Sequence, residues 1–165
     1  RETFYELLDE YRGLEERITA LERKMKALCA AHPVCHRLTA IPGVGYITAS
    51  AIVAAVGDVS VFKNGREFAA WLGLTPREYS TGGRQRLHGI SKRGDVYIRT
   101  LLVHGARIAL RYAPRHNNRQ SRWALDLMQR KGTNRTVVAM ANKNARVIWA
   151  LMAKDDEYRT FPLAA

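Results

Sequence analysis

Cysteine is nearly absent: the chain of 165 residues holds two, Cys29 and Cys35. That is too few for the multi-bridge framework of a small secreted domain, and no His/Cys cluster around them has zinc-ligand spacing. A reducing, cytoplasmic setting fits this usage. Acidic residues are scarce too, 15 against 27 Lys plus Arg for a formal net charge of +12; this excess of positive charge points to a polyanion as partner. The one long stretch without a charge, residues 38–57, is broken by Pro42, Gly43 and Gly45, which leaves too few continuous apolar residues to span a membrane. Convincing strand runs and repeats of fixed period are missing. What is present, 47% apolar and 25% charged residues, suffices for one folded core with a helical extension. The chain starts at Arg1, already inside a helical pattern, which predicts a fragment of a longer protein.

The positive charge is concentrated. Residues 77–146 carry 16 basic residues against Glu78, Asp95 and Asp126, a balance of +13 (16 − 3), and 13 of the 16 are arginine. Arginine suits bidentate phosphate contacts and base stacking, so the block reads as a nucleic-acid-binding surface rather than a generally solvated one.

Apolar periodicity predicts an all-α architecture, a long N-terminal helix followed by a compact helical bundle. In residues 1–32, Phe4, Leu7, Tyr11, Leu14, Ile18, Leu21, Met25 and Leu28 alternate spacings of three and four. This is the seam of a coiled coil that pairs with another helix, or one face of an amphipathic helix packed on its own domain. Residues 33–153 form the bundle. Near residues 36–57 the order is helix, tight turn, helix, with Pro42 closing the first helix. Gly43, Val44 and Gly45 lie where the backbone amides of a helix-hairpin-helix donate to a phosphate oxygen. A purely structural hairpin accounts for the same glycines. Further helices begin near Asn64, at Ser91 or Asp95, and at Thr133 or Asn134, and the tail, residues 154–165, reads as frayed.

Between the helices, Pro76 opens a polar glycine-containing loop with the run Tyr-Ser-Thr-Gly-Gly at residues 79–83. Ser80 and Thr81 are candidate nucleophiles there. Attack on a phosphodiester requires removal of the hydroxyl proton and stabilisation of charge on phosphorus. Arg77, Arg84, Arg86, Lys92 and Arg93 surround the hydroxyls in sequence and supply the second need, with Arg99, Arg107 and Arg111 in one sector of the following helix. An ordinary surface turn has the same composition. No carboxylate set has the pattern of a two-metal nuclease, so no metal site is assigned to this segment. Of the histidines, His88 lies in the basic loop, whereas His104 reads as a packed helical residue.

Four motifs occur in order: Ile-Pro-Gly-Val-Gly at 41–45, Phe-Ala-Ala-Trp-Leu-Gly-Leu-Thr-Pro-Arg at 68–77, Ser-Thr-Gly-Gly at 80–83, and Ile-Ser-Lys-Arg-Gly-Asp at 90–95 before Ile98-Arg99. From about residue 36 to 153 the chain resembles the C-terminal transposase domain of the DEDD-type insertion-sequence transposases related to Piv invertases, the family guided by bridge or seek RNAs. The resemblance implies a serine that becomes covalently linked to DNA. By motif position it falls on Ser80, with Thr81 as the alternative and Gly82 and Gly83 as the motif's glycines. It further implies an N-terminal RuvC-like domain that supplies acidic residues and Mg2+, a structured non-coding guide RNA, and a homo-oligomer assembled through the coiled coil. On the residues alone, a non-enzymatic helix-hairpin-helix module that binds DNA or RNA stays open.

Overall fold

The computed structural model describes residues 2–84 and 86–162. Helix α1 (Glu2–Ala31) precedes the short α2 (Pro33–Leu38), α3 (Tyr46–Val56) and α4 (Gly65–Trp71). Strands β1 (Pro76–Glu78) and β2 (Leu87–Ile90) follow, then α5 (Val96–Tyr112), α6 (Arg119–Lys131) and α7 (Thr133–Lys154), with single 3-10 turns at Val59–Val61 and Ala113–Arg115. The chain is therefore mostly helical, as the periodicity predicts. No helix among the described residues is long and apolar enough to cross a membrane.

The core is organised around α7. Its buried stripe of Val137, Met140, Ala141, Asn144, Ala145, Ile148 and Leu151 repeats at helical spacing and packs on α4, α5 and α6. Three polar side chains on α7 grip the connecting loops. Asn142 Nδ2 donates to the Leu74 carbonyl at 3.2 Å, Asn144 Nδ2 to the Pro42 carbonyl at 2.9 Å, and Trp149 Nε1 to the Phe62 carbonyl at 3.1 Å. Asn144 is buried, so its amide would otherwise lack a partner in the core, and the Pro42 carbonyl supplies one.

Several boundaries differ from the sequence expectation. Helix α1 does end at Ala31, but Pro33 opens α2 at its first turn, where a missing N–H costs nothing. Helix α2 stops at Leu38, ahead of Pro42. Asp95, not Ser91, caps α5, with Oδ1 accepting the Ile98 N–H at 2.8 Å. Helix α7 begins directly after Gly132 at φ 80°, without a side-chain cap from Thr133 or Asn134. The described part of the tail, up to residue 162, is tied down rather than frayed: Arg119 N–H donates to the Phe161 carbonyl at 3.1 Å, and the Tyr158 hydroxyl to Gln120 Oε1 at 2.7 Å; residues 163–165 lie outside the described residues.

The long helix α1 is present, but its seam is open. Phe4, Leu7, Tyr11, Leu14, Ile18, Leu21, Met25 and Leu28 are all exposed, from 37% at Met25 to 70% at Leu28. Only its C-terminal end is anchored, against α2 and α3, with Cys29 buried. A helix packed along its length on its own domain is thereby excluded for these residues.

The hairpin is the main departure from an all-α fold. Glu78 pairs with Leu87 and Pro76 with Ile90, so two steps on β1 span three on β2, a bulge that twists the pair. Its exit is pressed onto the end of α4. The Ser91 N–H donates to the Thr75 carbonyl at 2.8 Å and the Lys92 N–H to the Gly73 carbonyl at 3.1 Å. Gly94, at φ 102°, lies so near α4 that an added Cβ would stand 1.7 Å from the Trp71 carbonyl oxygen.

Gly94→Ala should therefore lower stability by about 2 kcal/mol or more, since it adds both a clash with backbone and a disfavoured dihedral. Urea unfolding followed by circular dichroism measures the loss. A second expectation concerns Tyr158, whose phenol is raised above its ordinary pKa of 10.0 by burial. The unfolded chain loses this proton first, so the contribution is complete below the ordinary value and fades as pH rises toward the folded one. Tyr158→Phe should cost about 1 kcal/mol at neutral pH through the lost hydrogen bond. The gap between the two proteins should narrow in urea titrations above about pH 10.

Candidate nucleic-acid interface

Gly82 and Gly83 have φ of 59° and 73°, and the Arg84 N–H donates to the Thr81 carbonyl at 3.1 Å. Positive φ at both central residues defines a type I′ turn, whose twist matches that of paired strands. The turn carries Ser80 and Thr81 to the surface, where both are exposed.

Ser80 sits between two partners. Its hydroxyl donates to Glu78 Oε1 at 2.5 Å, and its Oγ accepts the Arg86 N–H at 3.4 Å. The same stretch is held in register by the Tyr79 N–H, which donates to the Arg86 carbonyl at 3.0 Å. Tyr79 and His88 meet edge to face across the hairpin, with centroids 5.3 Å apart. Arg77, Arg84, Arg86, Lys92 and Arg93 are all exposed, so the hairpin offers its guanidinium groups to solvent. Lys92 has φ 56°, a left-handed conformation that an L-residue adopts only where its surroundings impose it; here its N–H is bound to the Gly73 carbonyl just beyond α4.

Four of the sequence candidates, Arg99, Gly43, Val44 and Gly45, lie elsewhere. Arg99 is buried to 9% exposure, and its Nη1 donates to the Leu72 carbonyl at 3.0 Å. It pins α5 to the end of α4 and has no face for a phosphate. Val44 is in the core, with its N–H taken by the Ile41 carbonyl at 2.9 Å. Gly43, at φ 86°, faces Gly105 of α5 so closely that a Cβ would stand 2.4 Å from the Gly105 carbonyl oxygen. Packing thus accounts for the first glycine of the Gly-X-Gly turn, while Gly45 is exposed at the start of α3. His104, expected to be packed, is exposed.

The structure also gathers cations that were counted in the basic block but not singled out. Lys131, Arg135, Lys143 and Arg146 from α6 and α7 line a cleft of about 1850 Å³, whose opposite wall includes Arg77, Leu87 and His88 of the hairpin. The signal was legible: Arg135, Asn142, Lys143 and Arg146 recur at helical spacing on α7, beside its apolar stripe. Lys143 lies over the Trp123 ring, 4.5 Å from the centroid. Burial, with Arg146 as a nearby like charge, lowers its pKa below the ordinary lysine value. Among the described residues no group of three or more His, Cys, Asp or Glu converges.

A helical domain with an exposed cationic hairpin is the class that this geometry defines. The sequence profile of the Transposase IS116/IS110/IS902 family matches residues 35–121, and the chain belongs to that family. Similar proteins include a probable family 20 transposase of Pseudomonas aeruginosa, 51% identical over 158 residues, which cover 96% of this chain and 47% of that protein. The transposase for insertion sequence element IS1111A of Coxiella burnetii is 45% identical over 153 residues, 93% of this chain and 42% of its own length. The transposase for insertion sequence element IS1328 of Yersinia enterocolitica is 40% identical over 141 residues, 86% and 42% respectively. The chain thus spans somewhat under half the length of these relatives.

Arg99→Met should destabilise the fold by about 2 kcal/mol, because the Leu72 carbonyl loses a charged donor inside the protein. It should leave the slope of nucleic-acid affinity against salt unchanged, whereas Arg84→Ala should reduce that slope without loss of stability. Urea unfolding and a salt titration of binding separate the two roles.

Proposed function

We propose that the chain is the serine-bearing part of an RNA-guided insertion-sequence transposase, in which Ser80 attacks a DNA phosphodiester. The observation that carries this reading is the exposed Ser80 hydroxyl, set between the Glu78 carboxylate and the Arg86 N–H on a hairpin lined with arginines.

In the proposed step Oγ of Ser80 forms a bond to phosphorus and the bond from phosphorus to one bridging ester oxygen breaks. The hydroxyl proton passes to Glu78, already its hydrogen-bond acceptor, and the released oxygen is protonated by solvent. Arg77, Arg84, Arg86, Lys92 and Arg93 hold the non-bridging oxygens as negative charge grows on them. Gly82 and Gly83 keep the turn narrow enough for a strand to reach the hydroxyl. Thr81 is the weaker candidate because its methyl group crowds the attacking oxygen.

The remaining parts of the reading come from the resemblance. An acidic RuvC-like domain outside these residues would hold Mg2+, and a structured guide RNA would select the DNA sequence by pairing. The open seam of α1 supports a homo-oligomer formed through a coiled coil, which would bring Ser80 near an acidic centre of another subunit. The scarcity of cysteine supports a cytoplasmic setting.

Trapping of the covalent protein–DNA adduct tests the assignment, with Ser80 and Thr81 each replaced by Ala in a protein that joins this chain to the acidic domain. Ser80→Ala should abolish the adduct while nucleic-acid affinity stays within about twofold, and Thr81→Ala should retain it. Glu78→Gln should slow adduct formation by about 100-fold, the usual contribution of a positioned base. An adduct that persists in Ser80→Ala overturns the assignment and, if lost in Thr81→Ala, moves the nucleophile to Thr81; no adduct even with Ser80 and Thr81 both in place returns the chain to a binding module without chemistry.

A further inference from the structure

We infer that the cleft between the hairpin and α7 is a seat for single-stranded DNA that adjoins the Ser80 turn and shares Arg77 and Lys92 with it. Its lining contains seven basic side chains and no carboxylate among the described residues: Arg66 at the start of α4, Arg77 and Lys92 beside the hairpin, Lys131 and Arg135 at the α6–α7 junction, and Lys143 and Arg146 on α7. None of the seven takes part in an ion pair among the described residues. So many uncompensated cations around one concavity repel one another unless an anion with several charges lies between them.

The floor distinguishes among polyanions. Leu74, Val138, Trp123 and Trp149 make much of it apolar, and the Trp149 ring is held in place by its N–H bond to the Phe62 carbonyl. A duplex keeps its base faces stacked inside and offers phosphates, sugars and groove edges, so indole rings gain no stacking from it. An unpaired strand instead turns bases toward indole and aliphatic surface while its backbone follows the cationic rim. An acidic peptide would satisfy the rim but would not fill the floor with flat rings.

The position of the cleft selects DNA over RNA. Arg77, Leu87 and His88 form one wall and belong to the hairpin that carries Ser80, so a strand leaving the cleft along that wall reaches the turn. This choice of DNA rests on the proposed function, because breaking a phosphodiester at Ser80 leaves a free DNA strand end beside the cleft. The seat itself requires no chemistry.

Fluorescence anisotropy with a labelled oligothymidylate of about 12 nucleotides tests the inference on this chain. The single strand should bind at least about tenfold more tightly than a duplex of the same length and than the matching oligouridylate. Arg135→Glu and Arg146→Glu, both exposed and checked for folding by circular dichroism, should each weaken binding about tenfold. Each should also lower the salt slope by about 0.7. Trp123→Leu should weaken binding by about tenfold or more through lost stacking. Equal affinity for the duplex, preference for the ribo-oligonucleotide, or unchanged binding by folded Arg135→Glu and Arg146→Glu each overturn the inference. Ser80→Ala should bind the strand as the parent does, so loss of the adduct and loss of the seat are read separately.

Discussion

The close approach of residues 91–94 to the C-terminal end of α4 governs where everything functional stands. Backbone there meets backbone: the Gly94 Cα lies against the Trp71 carbonyl, the Lys92 N–H is bound to the Gly73 carbonyl, and Arg99 reaches back from α5 to Leu72. A two-stranded hairpin has little stability of its own in water. Fastened at its base to α4 and, through Asn142, to α7, it becomes a fixed arm whose turn projects into solvent. The exposed Ser80 hydroxyl is then held in place without being buried.

The same fastening explains a division among the arginines. Those on the hairpin are free to meet phosphate, because β1 and β2 are exposed and place their side chains away from the core. Arg99, only a few residues further on, falls on the buried stripe of α5 and is consumed in structure. Its guanidinium neutralises no partner charge; it satisfies main-chain oxygen at a helix end, where carbonyls lack intrahelical donors. Charge count alone does not separate these roles, since both kinds of arginine contribute equally to the basic block.

The helical elements were readable because their apolar residues repeat at 3.6, and the caps at Asn64 and Asp95 and the breaks at Gly57 and Gly132 follow from side-chain and backbone chemistry. The hairpin was not. Its strands have three and four residues and lie almost wholly exposed, so no alternation of apolar and polar residues marks them. The Gly82-Gly83 pair was the available signal, since adjacent glycines between short extended runs suit a type I′ turn. The packing role of Gly43 was equally hidden, for its partner Gly105 lies on another helix.

Sequence by itself determined the helical class, the concentration of positive charge after residue 77, the apolar seam of α1 and the motif run that places Ser80 among glycines and arginines. These are properties of composition and of neighbours along the chain. Tertiary structure decided which cations are free and which are spent, that Glu78 and the Arg86 N–H flank the serine, and that α6, α7 and the hairpin enclose one cleft. Each of those depends on residues distant in sequence meeting across a packed core, and the distances that decide them arise only when α7 draws the separate loops together.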